Sequence, residues 1–147
     1  MPENEPIRCM QLPLTGFQLL VPNSSVAEIF SFSMPEQAGA KVWELGNTPW
    51  RGASVPVITL EKMCDQKIAE YGARTRIAIL YNPSEGENLP YLGLVLQDIP
   101  RAYLAEEERI ISASEPVECE YLECLADAQV EKLFIPNIQA IFQALST

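Results

Sequence analysis

Apolar positions along this chain come in short runs separated by glycine, proline and small polar residues, the pattern of strands joined by turns. Leu12 to Leu14 and Phe17 to Pro22 flank Thr15-Gly16, a turn pair at hairpin spacing. After Pro22-Asn23-Ser24-Ser25, the residues Val26, Ile29, Phe30 and Phe32 mix two periodicities and are assigned to a strand that ends at Met34-Pro35. Trp43 and Trp50 flank Gly46-Asn47-Thr48-Pro49, read here as a turn. The indoles either cap the core beneath it or one of them anchors a partner, since Trp is enriched in interface hot spots. Ala53 to Ile58 is a β-branched run interrupted by Pro56, which implies an edge strand or a strand end.

Leu60, Met63, Cys64, Ile68 and Tyr71 share one face of a helix expected to close at Gly72, with Thr59 as its cap. Strands are expected again at Arg76 to Tyr81, Tyr91 to Leu96, Ile99 to Leu104, 116–126 and 129–135. Asn137 to Leu145 is helical, with Ile138, Ile141, Phe142 and Leu145 forming the apolar stripe. Val55, Val57, Ile77, Ile79, Leu94 and Val95 are the expected core. Many short strands and two brief helices predict a mainly β fold, a barrel pair or sandwich, formed by residues 1–147 as a single domain. No internal repeat is visible.

Charge changes the picture only when it is divided along the chain. Residues 1–81 carry seven basic and eight acidic side chains, whereas 82–131 carry Arg101 and Arg109 against twelve acids. Such a field repels nucleic acid and anionic lipid, so neither is an expected partner. The acidic stretch is read as a solubilising face or as a docking surface for a basic partner.

Catalytic and metal chemistry has little to work with. The chain has no histidine, which removes the commonest general base, the Ser-His-Asp and Cys-His arrangements and the commonest zinc ligand. Neither GxxxxGK[ST] nor GxGxxG is present. Cys9, Cys64, Cys119 and Cys124 form no zinc-ligand spacing and are read as reduced, with Cys119 and Cys124 on opposite faces of a strand. MPENEPIRCMQLPL lacks the basic and apolar regions of a signal peptide, and no apolar run is long enough to cross a bilayer. The expectation is a cytoplasmic, non-enzymatic binding protein with no cofactor and no direct membrane insertion.

Four segments in order carry a resemblance: Phe17-Gln18-Leu19-Leu20-Val21-Pro22, Val26-Ala27-Glu28-Ile29, Trp50-Arg51-Gly52-Ala53-Ser54-Val55-Pro56-Val57-Ile58-Thr59-Leu60, and Tyr91-Leu92-Gly93-Leu94-Val95-Leu96. At this spacing they resemble the CheW-like family of chemosensory coupling domains, over residues 10–145. The resemblance implies a mainly β fold of two small SH3-like β-barrels with two short helices. It implies an adaptor that couples a methyl-accepting chemoreceptor to a CheA-like histidine kinase, and the chain looks like the short stand-alone members that control type IV pilus twitching motility. Its partner-binding residues are then Val26, Glu28, Ile29, Trp50, Arg51, Gly52 and Val57.

Departures from the family pattern stand at Trp50, where Leu is usual, at Thr59 and Gln97, where Asp is usual, and at Pro136, near a late Asp. Arg51 offers a planar fork of donors to a partner carboxylate, and Glu28 an acceptor. Alternatively the two bridge each other and only brace the first barrel. Two other functions compete: a regulatory module that docks a motor or response component through the acidic segment, and a small-molecule carrier using a cleft between the barrels.

Overall fold

A computed structural model describes residues 7–36, 39, 41–67, 70–84, 89–105, 119–125 and 132–145. The strands are β1 (Ile7–Pro13), β2 (Gln18–Pro22), β3 (Val26–Ser31), β4 (Glu44–Trp50) and β5 (Ala53–Ile58). Helix α1 (Leu60–Met63) follows, then β6 (Arg76–Tyr81), β7 (Tyr91–Leu96), β8 (Arg101–Ala105), β9 (Leu122–Leu125), β10 (Leu133–Pro136) and α2 (Ile138–Leu145). They form two five-stranded sheets, ordered β8-β1-β2-β10-β9 and β3-β6-β7-β5-β4.

The two sheets are built alike. Each has three antiparallel pairings and one parallel pairing, β2 with β10 in the first sheet and β7 with β5 in the second. In each, the strand that pairs in parallel leads directly into a helix, β10 into α2 and β5 into α1. The residue before each helix donates its backbone N–H to a carbonyl just ahead of the outer strand. Thr59 bonds Trp43 at 2.9 Å and Asn137 bonds Tyr121 at 2.8 Å. Asn137 also caps α2, its Oδ1 accepting the Ala140 N–H at 3.1 Å. These equivalences are structural, since the sequence shows no repeat.

Alternation of side chains divides the apolar residues among three layers. Ala78, Leu80, Leu92, Leu94, Leu96 and Ile58 of the second sheet meet Leu12, Leu19 and Val21 of the first, together with Leu60, Ile141 and Phe142 of the helices. The opposite faces of the same strands fill a separate cluster of Trp50, Val55, Val57, Ile77, Ile79 and Val95. Ala27 and Phe30 of β3 and Leu45 of β4 pack on that cluster too. Both outer strands thus wrap one interior in an SH3-like arrangement, but β3 and β4 do not pair and neither sheet closes into the expected barrel among the described residues. A smaller cluster of Cys9, Leu20 and Leu133 fills the first sheet in the same manner. Gly93 stands where a side chain would press on Ile77 and Val57, since an added Cβ would lie 3.1 and 3.2 Å from their Cγ2 atoms.

The mainly β fold and all six expected core residues are found, each of the six being buried. The mixed periodicity of residues 26–32 is a β-bulge between Val26 and Glu28, which puts Val26 and Ile29 on the same core despite their odd spacing. Several expectations need correction. Gly46 to Pro49 is not a turn but part of β4, paired along β5, and the reversal comes instead at Arg51-Gly52. β5 is not an edge strand. Pro56 is tolerated because the parallel register with β7 begins only at Val57.

The first helix is one turn long rather than extending to Tyr71, because Asp65 takes a left-handed φ of 57° right after the C-cap. Tyr71 stacks instead on Phe32, 4.5 Å between centroids. Thr59 occupies the N-cap position without a side-chain cap bond. The cysteines are not all reduced: Cys64 and Cys119 form a disulfide, while Cys9 is free and buried. Folding brings their Cα atoms to 5.3 Å, inside the span a disulfide needs, and a separation of 55 residues hides that proximity in the sequence. Parts of the segments 116–126 and 129–135 lie outside the described residues, as do Ile68 and the side chain of Cys124.

Ile79 is fully buried in the interior of the second sheet. Ile79→Ala is expected to cost about 2–5 kcal/mol, the usual range for truncating a buried aliphatic residue. Chemical unfolding measures it, and a loss below about 0.5 kcal/mol contradicts the placement.

Candidate partner-binding site

The β4–β5 hairpin closes on the pair Trp50 and Ala53, with Arg51 and Gly52 as its two loop residues. Both take positive φ, 48° and 78°, as a two-residue hairpin turn matched to strand twist requires. Gly52 does so freely and is exposed. Arg51 does so against its Cβ, at a cost of about 1–2 kcal/mol.

The Arg51 guanidinium lies over the Trp50 ring, 4.6 Å from its centroid. Its Nη2 donates to Glu28 Oε1 at 3.3 Å. The side chains of the pair are 65% and 43% exposed, so the bridge contributes only about 0–1 kcal/mol. An exposed cation over a ring face adds about 0.5–1 kcal/mol. Gain and strain nearly cancel. Arg51 is therefore held in place without supporting the fold.

The bridge has a topological meaning that the sequence did not reveal. Glu28 lies on β3 and Arg51 at the end of β4, the two outer strands of one sheet. Between them no ladder pairing is recorded among the described residues, and the ion pair spans that seam. Beneath it sits Trp50, 7% exposed, packed edge-on against Tyr91 at 4.9 Å. Tyr81 extends the aromatic row 5.8 Å from Tyr91 and is exposed. The Trp50 Nε1 is buried and has no acceptor among the described residues.

Of the expected site residues, the structure brings Glu28, Trp50, Arg51 and Gly52 together. Val57 lies in the interior beside Trp50 and is fully buried, so its side chain is supporting core. Val26 and Ile29 are half-buried and turn towards the other layer, between the sheets.

Sequence reasoning missed Glu61. This carboxylate is completely buried, and its Oε2 accepts the Thr15 N–H and the Gln97 Nε2–H, both at 3.1 Å. Thr15 belongs to the β1–β2 turn, and Gln97 follows β7. Glu61 thus ties the two sheets from its place on α1. The Gln97 N–H adds a backbone bond to Pro13 O at 2.9 Å. Burial, followed by the nearby Glu61 charge, pushes the Tyr71 phenol above its ordinary value. An Asp at position 97 would place a second carboxylate against Glu61, whereas Gln97 donates to it. Nothing in the one-dimensional pattern distinguishes such an acid from a solvated one.

Among the described residues, no group of three or more His, Cys, Asp or Glu side chains could hold a metal ion. No helix among them is long and apolar enough to cross a membrane. An open groove of about 490 Å³ lies beside the β1–β2 turn, where Leu14, Phe17, Gln18, Arg101 and Lys132 line it with Asp98. The Ile99 N–H, then Arg74, hold the Asp98 carboxyl below its ordinary value.

No family model matches the sequence. No curated protein matches it either. Among solved structures, the crystal structure of the scaffolding protein TtCheW from Thermoanaerobacter tengcongensis is similar, with a TM-score of 0.78 and 18% identity. The match covers 94% of this chain and 93% of that one. The chain has the fold of that scaffolding protein.

Glu61 and Gln97 generate a test of the link between the sheets. Glu61→Ala orphans two donors and is expected to cost about 2–4 kcal/mol, and Gln97→Ala about 1–2 kcal/mol. In the double variant the losses should fall short of their sum by at least about 0.5 kcal/mol, as for two ends of one bond. Additive losses in denaturant titrations contradict the clamp.

Proposed function

We propose that this chain is a non-enzymatic adaptor that couples a methyl-accepting chemoreceptor to a CheA-like histidine kinase, in a chemosensory system of the kind that controls type IV pilus twitching. The observation that carries this reading is the Arg51 hairpin. Here a fold shared with a scaffolding protein over 94% of the chain presents a cation on a rigid two-residue turn, 65% exposed at its side chain. Strain and stabilisation nearly cancel there, so stability alone does not call for arginine at this position. A partner carboxylate can compete with Glu28 for the guanidinium at little cost to the fold. Two features favour a docking edge: β3 and β4 end the sheet order, the outer side of β4 carrying only the Asn47 to Glu36 bridge among the described residues, and Trp50 beneath the seam is buried against Tyr91. The ordered segments at residues 17–22, 26–29, 50–60 and 91–96 support the same reading.

Under this reading Arg51→Ala leaves unfolding free energy within about 1 kcal/mol of the parent. It weakens binding to the regulatory domain of a CheA-like kinase, or to a receptor tip, by more than about tenfold. Arg51→Lys restores only part of the affinity, because an ammonium keeps the charge and loses the fork. Calorimetry with the purified partners, alongside denaturant unfolding of Arg51→Ala, Glu28→Ala and the double variant, measures both quantities. Lower stability with unchanged affinity assigns the pair to bracing the sheet and refutes the binding role.

A further inference from the structure

Cys64 is the C-cap of α1, the helix that follows β5 of the second sheet. Cys119 lies just ahead of β9, the outer strand of the first sheet. Their disulfide, with Cα atoms 5.3 Å apart, joins one half of the fold to the other. Both residues are half-buried, within reach of a small thiol. Cys9, by contrast, is buried, and burial pushes its thiol up.

The halves do not rely on this bond to stay together. They share the apolar layer between the sheets, the two hydrogen bonds to Glu61 and the Gln97 to Pro13 backbone bond. What the bond fixes is local. Among the described residues, β9 has β10 as its ladder partner and ends the sheet order on its other side. β9 pairs with β10 at Phe134, Ile135 and Pro136 through an irregular register. A covalent tie ahead of such a strand governs an edge, while the core is held by other means.

We propose that Cys64 and Cys119 form a reversible thiol–disulfide modification site that sets how firmly the β9 edge is held to the α1 half of the fold. Oxidation of the dithiol uses a low-molecular-weight disulfide, RSSR, as the oxidant. One cysteine thiolate attacks RSSR, its S–S bond breaks, a protein mixed disulfide forms and one RS⁻ leaves. The second thiolate attacks the protein sulfur of that mixed disulfide, closing the Cys64–Cys119 bond and expelling the second RS⁻. Two protein thiols are oxidised, RSSR is reduced, and its two thiolates take up the two protons released. Two equivalents of a small thiol reverse the sequence.

The test uses the full chain in glutathione buffers stepped from fully reduced to fully oxidised, quenched with acid, alkylated and mapped by peptide mass spectrometry. Cys64 and Cys119 should change together from alkylated to protected within buffers that span the poise of a reducing cell interior. Reduction should speed amide hydrogen exchange in β9 at least about tenfold while β6 and β7 keep their protection. The Cys64→Ser, Cys119→Ser double variant should match the reduced protein in every buffer. A bond that stays closed, or never closes, across the whole series overturns the proposal. So does pairing of Cys119 with Cys9 or Cys124, or loss of β6 and β7 protection on reduction, which makes the bond a structural staple.

Discussion

The layer of apolar side chains shared by the two sheets is the constraint on which the rest of this structure depends. Strands β2, β5, β6 and β7 are buried on both faces, one towards that layer and one towards the interior of their own sheet. A strand so placed has no polar face to spare, which is why Arg76 to Tyr81 and Tyr91 to Leu96 read as nearly unbroken apolar runs. The crowding also bears on Gly93, where a Cβ would press on Ile77 and Val57. At the margin of the layer Glu61, the one buried carboxylate among the described residues, has two donors converging on Oε2 while its Oε1 is buried without a partner.

Chain order gives the two equivalent sheets different dependence on distant contacts. The second sheet is assembled from residues 26–96 without help from elsewhere, whereas the first needs residues 7–22 to pair with residues 101–105 and 133–134. Pairing across such a separation carries a larger loop-closure cost. The first sheet also has the smaller interior, built on Cys9, Leu20 and Leu133. Of the links that cross from the second sheet to the first, the Glu61 clamp holds the β1–β2 turn and the Cys64–Cys119 bond lies ahead of β9.

Much of this was legible in one dimension. The hairpin at Thr15-Gly16, the core residues and the α2 stripe follow from period and turn chemistry, which are local properties. What failed was decided by tertiary neighbours. Pro56 reads as an edge signal, yet only the register of β7 determines whether its missing N–H matters. The α1 face at Leu60, Met63 and Cys64 continues in sequence to Tyr71, but the chain turns at Asp65 and Tyr71 finds Phe32 instead. Glu61 and the disulfide are contacts between segments 36 to 55 residues apart, and neither leaves a periodic trace. The Trp50-Arg51-Gly52 segment was legible as a motif, while the position of Arg51 over a seam between β3 and β4 required the sheet order.

On the proposed reading, that seam reconciles two demands on a binding surface that ordinarily conflict. A residue that binds a partner must be fixed in orientation, so that little freedom is lost on contact, and yet its own contacts must be weak enough to exchange. Burial satisfies the first demand and defeats the second. The hairpin separates them. Trp50 and Val57 are fixed by burial and carry the turn, and the turn fixes the Arg51 backbone at a conformation its side chain does not favour. The guanidinium then rests between an exposed carboxylate and a ring face, two contacts of about 1 kcal/mol or less each. Replacing Glu28 by another carboxylate leaves the ring contact, the turn and the core beneath it unchanged. The stability of the fold and the availability of Arg51 are therefore set by different residues, and either can vary without the other.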